Sequence, residues 1–326
     1  MKPYYYSLNE YLKETYGCKM YKLALNGGMT CPNRDGRLDT RGCIFCSAGG
    51  SGDFSGDAVI RKNEKAGIKC SDFITTPQNT QLPGITAQIN AAKKFISNKY
   101  SGGNYIAYFQ SFTNTYAPAS YLRQIFEEAA SHESVRILSI ATRPDCLDDD
   151  TIKLLGSINA KKPVWVELGL QTIHKKTSDY IRRGYELPVF EAAVKRLNTV
   201  GIRPIIHMII GLPHETKEMI LQTADYIAHC EASGIKLQLL HVLKNTDLAV
   251  DFQSGLFHAM ELEEYIDCLG SIIELLPPDM VIHRLTGDGP KNLLLAPLWS
   301  ADKKKVMNRI NRYFQENNIY QGRIYQ

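Results

Sequence analysis

An α/β fold of parallel strands joined by helices, followed by a C-terminal extension, is predicted for this 326-residue chain by three observations. From residue 85 a helix alternates with a strand in a unit of about thirty residues, the pattern of repeated βα crossovers. Right-handed crossovers of that kind either close into a barrel or spread into a doubly wound sheet. No G-x-G-x-x-G segment follows a strand, which leaves the dinucleotide-binding version little support. Polar, chemistry-bearing residues stand at the carboxyl ends of successive strands, where βα loops converge.

The elements follow in order. Tyr21 to Asn26 alternates as a first strand and ends at Gly27-Gly28, delivering the chain into a polar loop. Residues 47 to 84, rich in Gly, Ser, Asp and Thr, read as an irregular excursion, with Cys70 lacking any partner spacing. Helix 85–97 leads to strand Asn104 to Gln110, and helix 119–131, with Leu122, Ile125, Phe126 and Ala129 on one face, leads to strand Val135 to Thr142. Asp148 to Ser157 precedes strand Val164 to Leu168, helix 188–200 precedes Pro204 to Ile210, and helix 216–233 precedes Lys236 to Val242, six strands in all. Beyond residue 250 the rhythm fails: a helix over 260–276, a strand from Met280 to Leu285, the turn Thr286-Gly287-Asp288-Gly289-Pro290 and a helix from about Ala301 to Glu316. The predicted organisation is an N-terminal segment 1–19, a main unit 20–249, and an extension 250–326 that covers the main unit or binds substrate.

Composition narrows the class. A hydrophobic share of 44% supports a substantial core, and a net charge of +4 permits an acidic partner such as RNA without requiring one. The first residues have no apolar signal segment and no run reaches membrane-spanning length, so a cytoplasmic protein without membrane attachment is expected. Eight cysteines in such a chain argue for metal and core roles over disulfides.

Three of them, Cys31, Cys43 and Cys46, form a C-x11-C-x2-C triplet in the loop 30–47 after the first strand. Three thiolates leave one iron of a four-iron cube without a protein ligand, and an open metal position is where chemistry occurs. Gly36 and Gly42 permit the turns, while Arg34, Arg37 and Arg41 oppose the charge of a thiolate-bound cluster. C-x2-C alone also suits zinc or dithiol redox sites. A closed zinc site needs a fourth ligand, however, and the nearest candidate, Cys18, precedes the first strand.

The loop resembles that of the radical S-adenosylmethionine (SAM) superfamily, in the branch near the tRNA-modifying Elongator catalytic subunit, whose first cysteine also stands far from the C-x2-C. The resemblance covers roughly residues 20 to 245 and implies a partial (β/α)6 TIM-type barrel, a [4Fe-4S] cluster held by Cys31, Cys43 and Cys46, and SAM as cosubstrate. It implies that Phe45 contacts adenine and that Gln110, Ser111 and Thr113, in the loop after the second strand, stand where relatives grip the SAM amino group. That loop reads as small, polar and supplied with free backbone donors.

At the third strand end, Ala141 replaces a frequent glutamate, and Arg143 either binds the SAM carboxylate or pairs with Asp145. Gln171, followed twelve residues later by Arg183, matches a ribose-contacting glutamine and a carboxylate-pairing arginine of relatives resembling oxygen-independent coproporphyrinogen oxidase. His207 stands where those relatives bind ribose with an acid; one hydrogen bond or simple packing are both open to it. The implied reaction is reductive cleavage of SAM, with an electron from an external donor such as flavodoxin or ferredoxin, to a 5′-deoxyadenosyl radical that abstracts hydrogen from substrate.

The segments Cys-Pro-Asn-Arg-Asp-Gly, Phe-Gln-Ser-Phe-Thr-Asn-Thr-Tyr and His-Arg-Leu-Thr-Gly-Asp-Gly-Pro further resemble a bacterial radical SAM family linked to tRNA wobble-uridine modification, which makes tRNA the implied partner. A small metabolite as substrate, or a zinc or redox module without catalysis, are the alternatives. His241, Lys244, His283, Arg284 and Asp288 are candidate substrate contacts. The last helix, with Lys303, Lys304, Lys305, Arg309 and Arg312, is either a nucleic-acid surface or a solvated amphipathic helix packed through Val306, Ile310 and Phe314.

Overall fold

The computed structural model describes residues 3–50, 73–98, 100, 102–287 and 289–326; Cys70 and Asp288 lie outside the described residues. Its strands are β1 (Tyr21–Leu25), β2 (Phe73–Thr75), β3 (Gln81–Pro83), β4 (Tyr105–Phe109), β5 (Val135–Thr142), β6 (Val164–Gln171), β7 (Ile205–Ile210), β8 (Gly234–Leu239), β9 (Val242–Leu243), β10 (Val281–Arg284) and β11 (Leu294–Ala296). The helices are α1 (Leu8–Tyr16), α2 (Ile85–Ile96), α3 (Ala119–Ser131), α4 (Asp149–Asn159), α5 (Lys175–Tyr180), α6 (Leu187–Thr199), α7 (Lys217–Ala228), α8 (Asp247–Gln253), α9 (Leu262–Leu275) and α10 (Lys303–Glu316).

The main sheet is parallel, with strand order β1-β4-β5-β6-β7-β8-β10. Neighbours in sequence are neighbours in space, the winding of a barrel left open between β1 and β10. This is the partial TIM-type barrel, with seven strands where the sequence predicts six. The extra strand is β10, whose residues lie in the segment assigned to the extension and pair with β8 at Val281↔Gly234 and Ile282↔Ile235. The excursion 47–84 also holds the small antiparallel pair β2–β3.

Alternation along each strand divides the sheet into two faces. Leu23, Leu25, Ala107, Phe109, Leu138, Ile140, Val166, Leu168, Ile206, Met208, Ile235 and Leu237 join the main core, together with apolar helix residues such as Leu122, Phe126, Leu155, Phe190, Ile220 and Leu269. The other face is layered. Ile106, Ile137, Trp165 and Ile205 form a small core with Leu12 of α1, which thereby packs at the amino ends of the strands. One step along each strand toward its carboxyl end stand Lys22, Tyr108, Ser139, Glu167, His207 and Lys236.

Helix α1 is set by a capping box: Ser7 accepts from the Glu10 N–H, the Glu10 side chain accepts from the Ser7 N–H, and Gly17 closes the helix at φ 71°. The pair Ser7…Glu10 is legible in the sequence as S-x-x-E, a signal that the unassigned segment 1–19 carries. The last helix packs as the amphipathic pattern predicts, with Val306, Ile310 and Phe314 buried.

Candidate active site

The chain leaves β1 into the cysteine loop, which is fastened to the loop after β4, the end of α5 and the start of α8. The Thr113 N–H donates to Thr30 O (3.2 Å), Ile44 N–H to Ile181 O (3.2 Å), and the Leu248 N–H to Ile44 O (3.1 Å). Asn33 Nδ2 donates to Arg182 O (2.6 Å) and approaches Cys43 Sγ at 3.4 Å. Within the loop the Gly42 N–H donates to Asn33 O (2.7 Å) and the Cys46 N–H to Cys43 O (2.9 Å), so the C-x2-C closes on itself as a turn.

A cavity of about 300 Å³ opens between this loop and the strand ends, and Cys31, Cys43, Cys46, Phe45, Gln110, Thr113, Arg143, Gln171, Arg183 and His207 all line it. Ser111 does not; it is buried behind the wall, its Oγ without a hydrogen-bond partner among the described residues. Burial, then the proximity of Cys46, pushes the Cys43 thiol up to about 12; Arg143 pulls the other way, Cys31 adds to the rise and Asn33 opposes it. Three thiolates so placed repel one another, and a polycation shared among them removes the conflict. Among the described residues no three His, Cys, Asp or Glu side chains converge as ligands of one ion. A multi-iron cluster does not need that convergence, since each thiolate takes its own iron. Three thiols without a fourth protein ligand suit a multi-iron cluster, and Cys18 packs with the α1 core instead.

The structure corrects several expected roles. Arg37 and Arg41 do not serve the thiols: Arg37 lies over the Tyr116 ring and Arg41 chelates Asp39, while the cation beside Cys43 is Arg143. Arg34 braces the loop instead, donating to Cys46 O and Ser47 O. In the loop after β4 the backbone donors are mostly spent, the N–H groups of Gln110, Phe112, Thr113 and Asn114 donating to Leu25, Gly50, Thr30 and Ala141. Its side chains and carbonyl oxygens remain for an ammonium group. Arg143 resolves in favour of Asp145, with two parallel bonds of 2.9 and 2.8 Å, and also donates to Arg183 O. Arg183 spends Nε and Nη1 on the carbonyls of Tyr185, Leu170 and Thr172.

Gln171 sits at φ 64°, beyond a register shift in β6 opposite Gly169. A Cβ on Gly169 would stand 2.4 Å from Gln171 Nε2, so that glycine is what allows the amide to fold back over the strand. His207 lines the cavity with its Nε2 2.9 Å from Glu167 Oε2.

Glu167 is the residue that motif reading passes over. Fully buried in β6, it accepts from Lys22 (2.6 Å) and Ser139 (2.6 Å) on Oε1 and from Lys236 and His207 on Oε2. Burial works to raise its pKa, but the Lys22 and Lys236 ammonium groups and the His207 bond hold it well below the carboxylate range. Burial, with Lys236, lowers His207 to about 4 against the pull of Glu167, so its imidazole is neutral. The available signal was a polar residue in the middle of each of several apolar strands, all of one alternation parity.

The chain can also be compared with known proteins. The model of the radical SAM superfamily matches residues 40–227. The chain belongs to the radical SAM superfamily. The Radical_SAM C-terminal domain matches residues 232–316, beginning at β8 and including β10. The "Uncharacterized protein YtqA" of Bacillus subtilis (strain 168) is 40% identical, over 99% of this chain and 93% of its own length. A "tRNA uridine(34) acetyltransferase" of Methanocaldococcus jannaschii is 23% identical over 60% of this chain and 36% of that protein. In fold, the chain is similar to archaeal Elp3 of Methanocaldococcus infernus, with a TM-score of 0.64 at 17% identity, covering 73% of this chain and 60% of that one. Radical SAM enzymes use a [4Fe-4S] cluster and SAM and require an electron donor, and this chain is such an enzyme.

Of the substrate candidates, His241 and Arg284 line the cavity. Lys244 is exposed, and His283 packs edge-on to Trp165 at 5.2 Å, lining a separate cavity beside α1. On α10, Arg309 is paired with Glu263, whereas Lys303, Lys304, Lys305 and Arg312 are exposed. No helix among the described residues is long and apolar enough to cross a membrane.

Proposed function

We propose that this radical SAM enzyme modifies tRNA at the wobble uridine, in the cytoplasm, drawing electrons from a flavodoxin or ferredoxin. Cys31, Cys43 and Cys46 hold the cluster; Phe45, Gln110, Thr113, Arg143, Gln171, Arg183 and His207 surround SAM, with Ser111 supporting the loop from behind. The reading is carried by the convergence of the thiols and the carboxyl strand ends on one cavity. Its tRNA part is supported by the similarity to a tRNA uridine(34) acetyltransferase and by the exposed lysines of α10.

When bound, cluster and SAM together supply reductive cleavage and hydrogen abstraction. The chain's residues bind, orient and exclude water. The Arg143 guanidinium, locked by Asp145 and lying 5.1 Å from the Tyr185 ring centroid, keeps a fixed positive charge beside Cys43. Gln171 presents its amide from a backbone already bent to the purpose. Neutral His207, tied to Glu167, lends a rigid wall and no proton near neutral pH. Residues 250–326 contribute Arg284 and the turn at Gly287, Gly289 and Pro290 to the cavity, and in this reading they close it over substrate.

Anaerobically reconstituted protein, SAM, reductant and bulk tRNA, followed by nucleoside analysis, tests both levels. A changed uridine derivative supports the proposal. SAM cleavage with an unaltered nucleoside profile removes tRNA as the substrate and leaves the enzyme class intact.

A further inference from the structure

The polar layer inside the barrel holds more positive charge than its carboxylate balances. Lys22, Lys236 and Arg284 are grouped with Glu167, and Glu167 already accepts four hydrogen bonds. Burial pushes Lys236 well below the usual lysine range; Glu167 opposes this, and Lys22 and Arg284 reinforce it. Arg284, at the end of the edge strand β10, lines the cavity, yet neither hydrogen bond nor ion pair joins its side chain to a described residue, and its Nε is buried without a partner. A guanidinium does not relieve such a position by losing its proton, so among the described residues no anion answers it.

The adjoining turn is shaped around the same group. A Cβ on Gly287 would stand 2.9 Å from His241 Cε1 and 3.1 Å from Arg284 Nη2, and one on Gly289 would stand 3.3 Å from His241 Cγ. Both glycines let the backbone lie close against the imidazole and, at Gly287, the guanidinium, and all four residues line the cavity.

We propose that Arg284, with His241 and the glycine turn, forms a subsite for an oxyanion of the substrate, a carboxylate or a phosphate, separate from the carboxylate of SAM. The forked donors of a guanidinium match two oxygens of such a group. Arg143 stands beside Cys43, at the thiol end of the cavity, whereas Arg284 is grouped with Lys236, His207 and Tyr108. The proposal rests on this cavity being the radical SAM active site, but not on tRNA being the substrate.

The test is thermal unfolding of anaerobically reconstituted protein saturated with SAM, in chloride, phosphate or acetate at one ionic strength. The unmutated protein is expected to gain stability with rising phosphate or acetate. Arg284→Gln is expected to lose that gain and Arg284→Lys to keep part of it. A gain with phosphate alone assigns the anion to a nucleotide backbone; a gain with acetate alone assigns it to a carboxylate on the reacting group; either supports the subsite. Equal gains in the unmutated protein and Arg284→Gln overturn it, as does a gain present without SAM and abolished by it. Should Arg284→Gln fail to fold, labelling of the unmutated protein with phenylglyoxal decides: protection of Arg284 by the same anions over chloride supports the subsite, and no protection overturns it. No RNA enters these measurements, so a failed tRNA assay and a failed subsite remain distinguishable.

Discussion

Glu167 and Cys43 show how burial assigns opposite fates to two acidic side chains in one cavity. Glu167 is surrounded by donors and stays ionised; Cys43 is surrounded by other thiols and needs a metal to ionise. Replacing Glu167 with Gln leaves two lysines without a carboxylate, and removal of one partner from a buried ion pair costs about 3–5 kcal/mol. Urea denaturation of Glu167→Gln is expected to show a loss of that size; an unchanged midpoint would mean the network contributes nothing net. At the thiols, Cys31→Ala, Cys43→Ala and Cys46→Ala should each abolish SAM cleavage and the iron content of reconstituted protein, while Cys230→Ala, a half-buried thiol bonded to Tyr226 O, should preserve both. Motif spacing exposed the three cysteines, whereas Glu167 was hidden because its partners lie 28 to 145 residues away in sequence.

Elements convert these residues into a site. The bend that aims Gln171 depends on Gly169, whose Cα lies under the amide. Gly169→Ala is expected to raise KM for SAM severalfold while the far-ultraviolet circular dichroism stays that of the parent; unaltered SAM affinity would detach Gln171 from SAM binding. Helix α1 rests on its capping box and on Leu12 against the strands' amino ends. Ser7→Ala should cost about 1 kcal/mol in chemical denaturation. The βα alternation was legible because each helix carries an apolar face and each strand a bounded apolar run. The membership of β10 in the sheet was not: its short segment follows a helix but breaks the thirty-residue rhythm, and pairing with β8 is a matter of space.

For the whole molecule, protonation and stability are linked through the barrel interior. His207, at about 4 in the fold against an ordinary 6.5, binds fewer protons folded than unfolded between those values, so stability rises with pH across that window and is lost as pH falls through it. Glu167, held low in the fold, adds a loss of the same sign at more acid pH. Unfolding free energy should therefore decline from about pH 6.5 toward pH 4, and His207→Gln should flatten the upper part of that decline; parallel profiles for the two proteins would dissociate His207 from it. Transfer RNA binding, if α10 tracks the phosphate backbone, should weaken steeply with salt, and Lys304→Ala with Lys305→Ala should reduce the slope of that dependence.

Local sequence determined what is written in short spacings: the cysteine triplet, the amphipathic helices, the strand rhythm and the polar residues at strand ends. The register and curvature of the sheet decided the rest, by bringing Lys22, Ser139, Glu167, His207 and Lys236 from five strands into one buried layer and setting Arg284 beside it. Hydrophobic periodicity is a property of adjacent residues, whereas the balance of buried charge depends on which distant strands become neighbours.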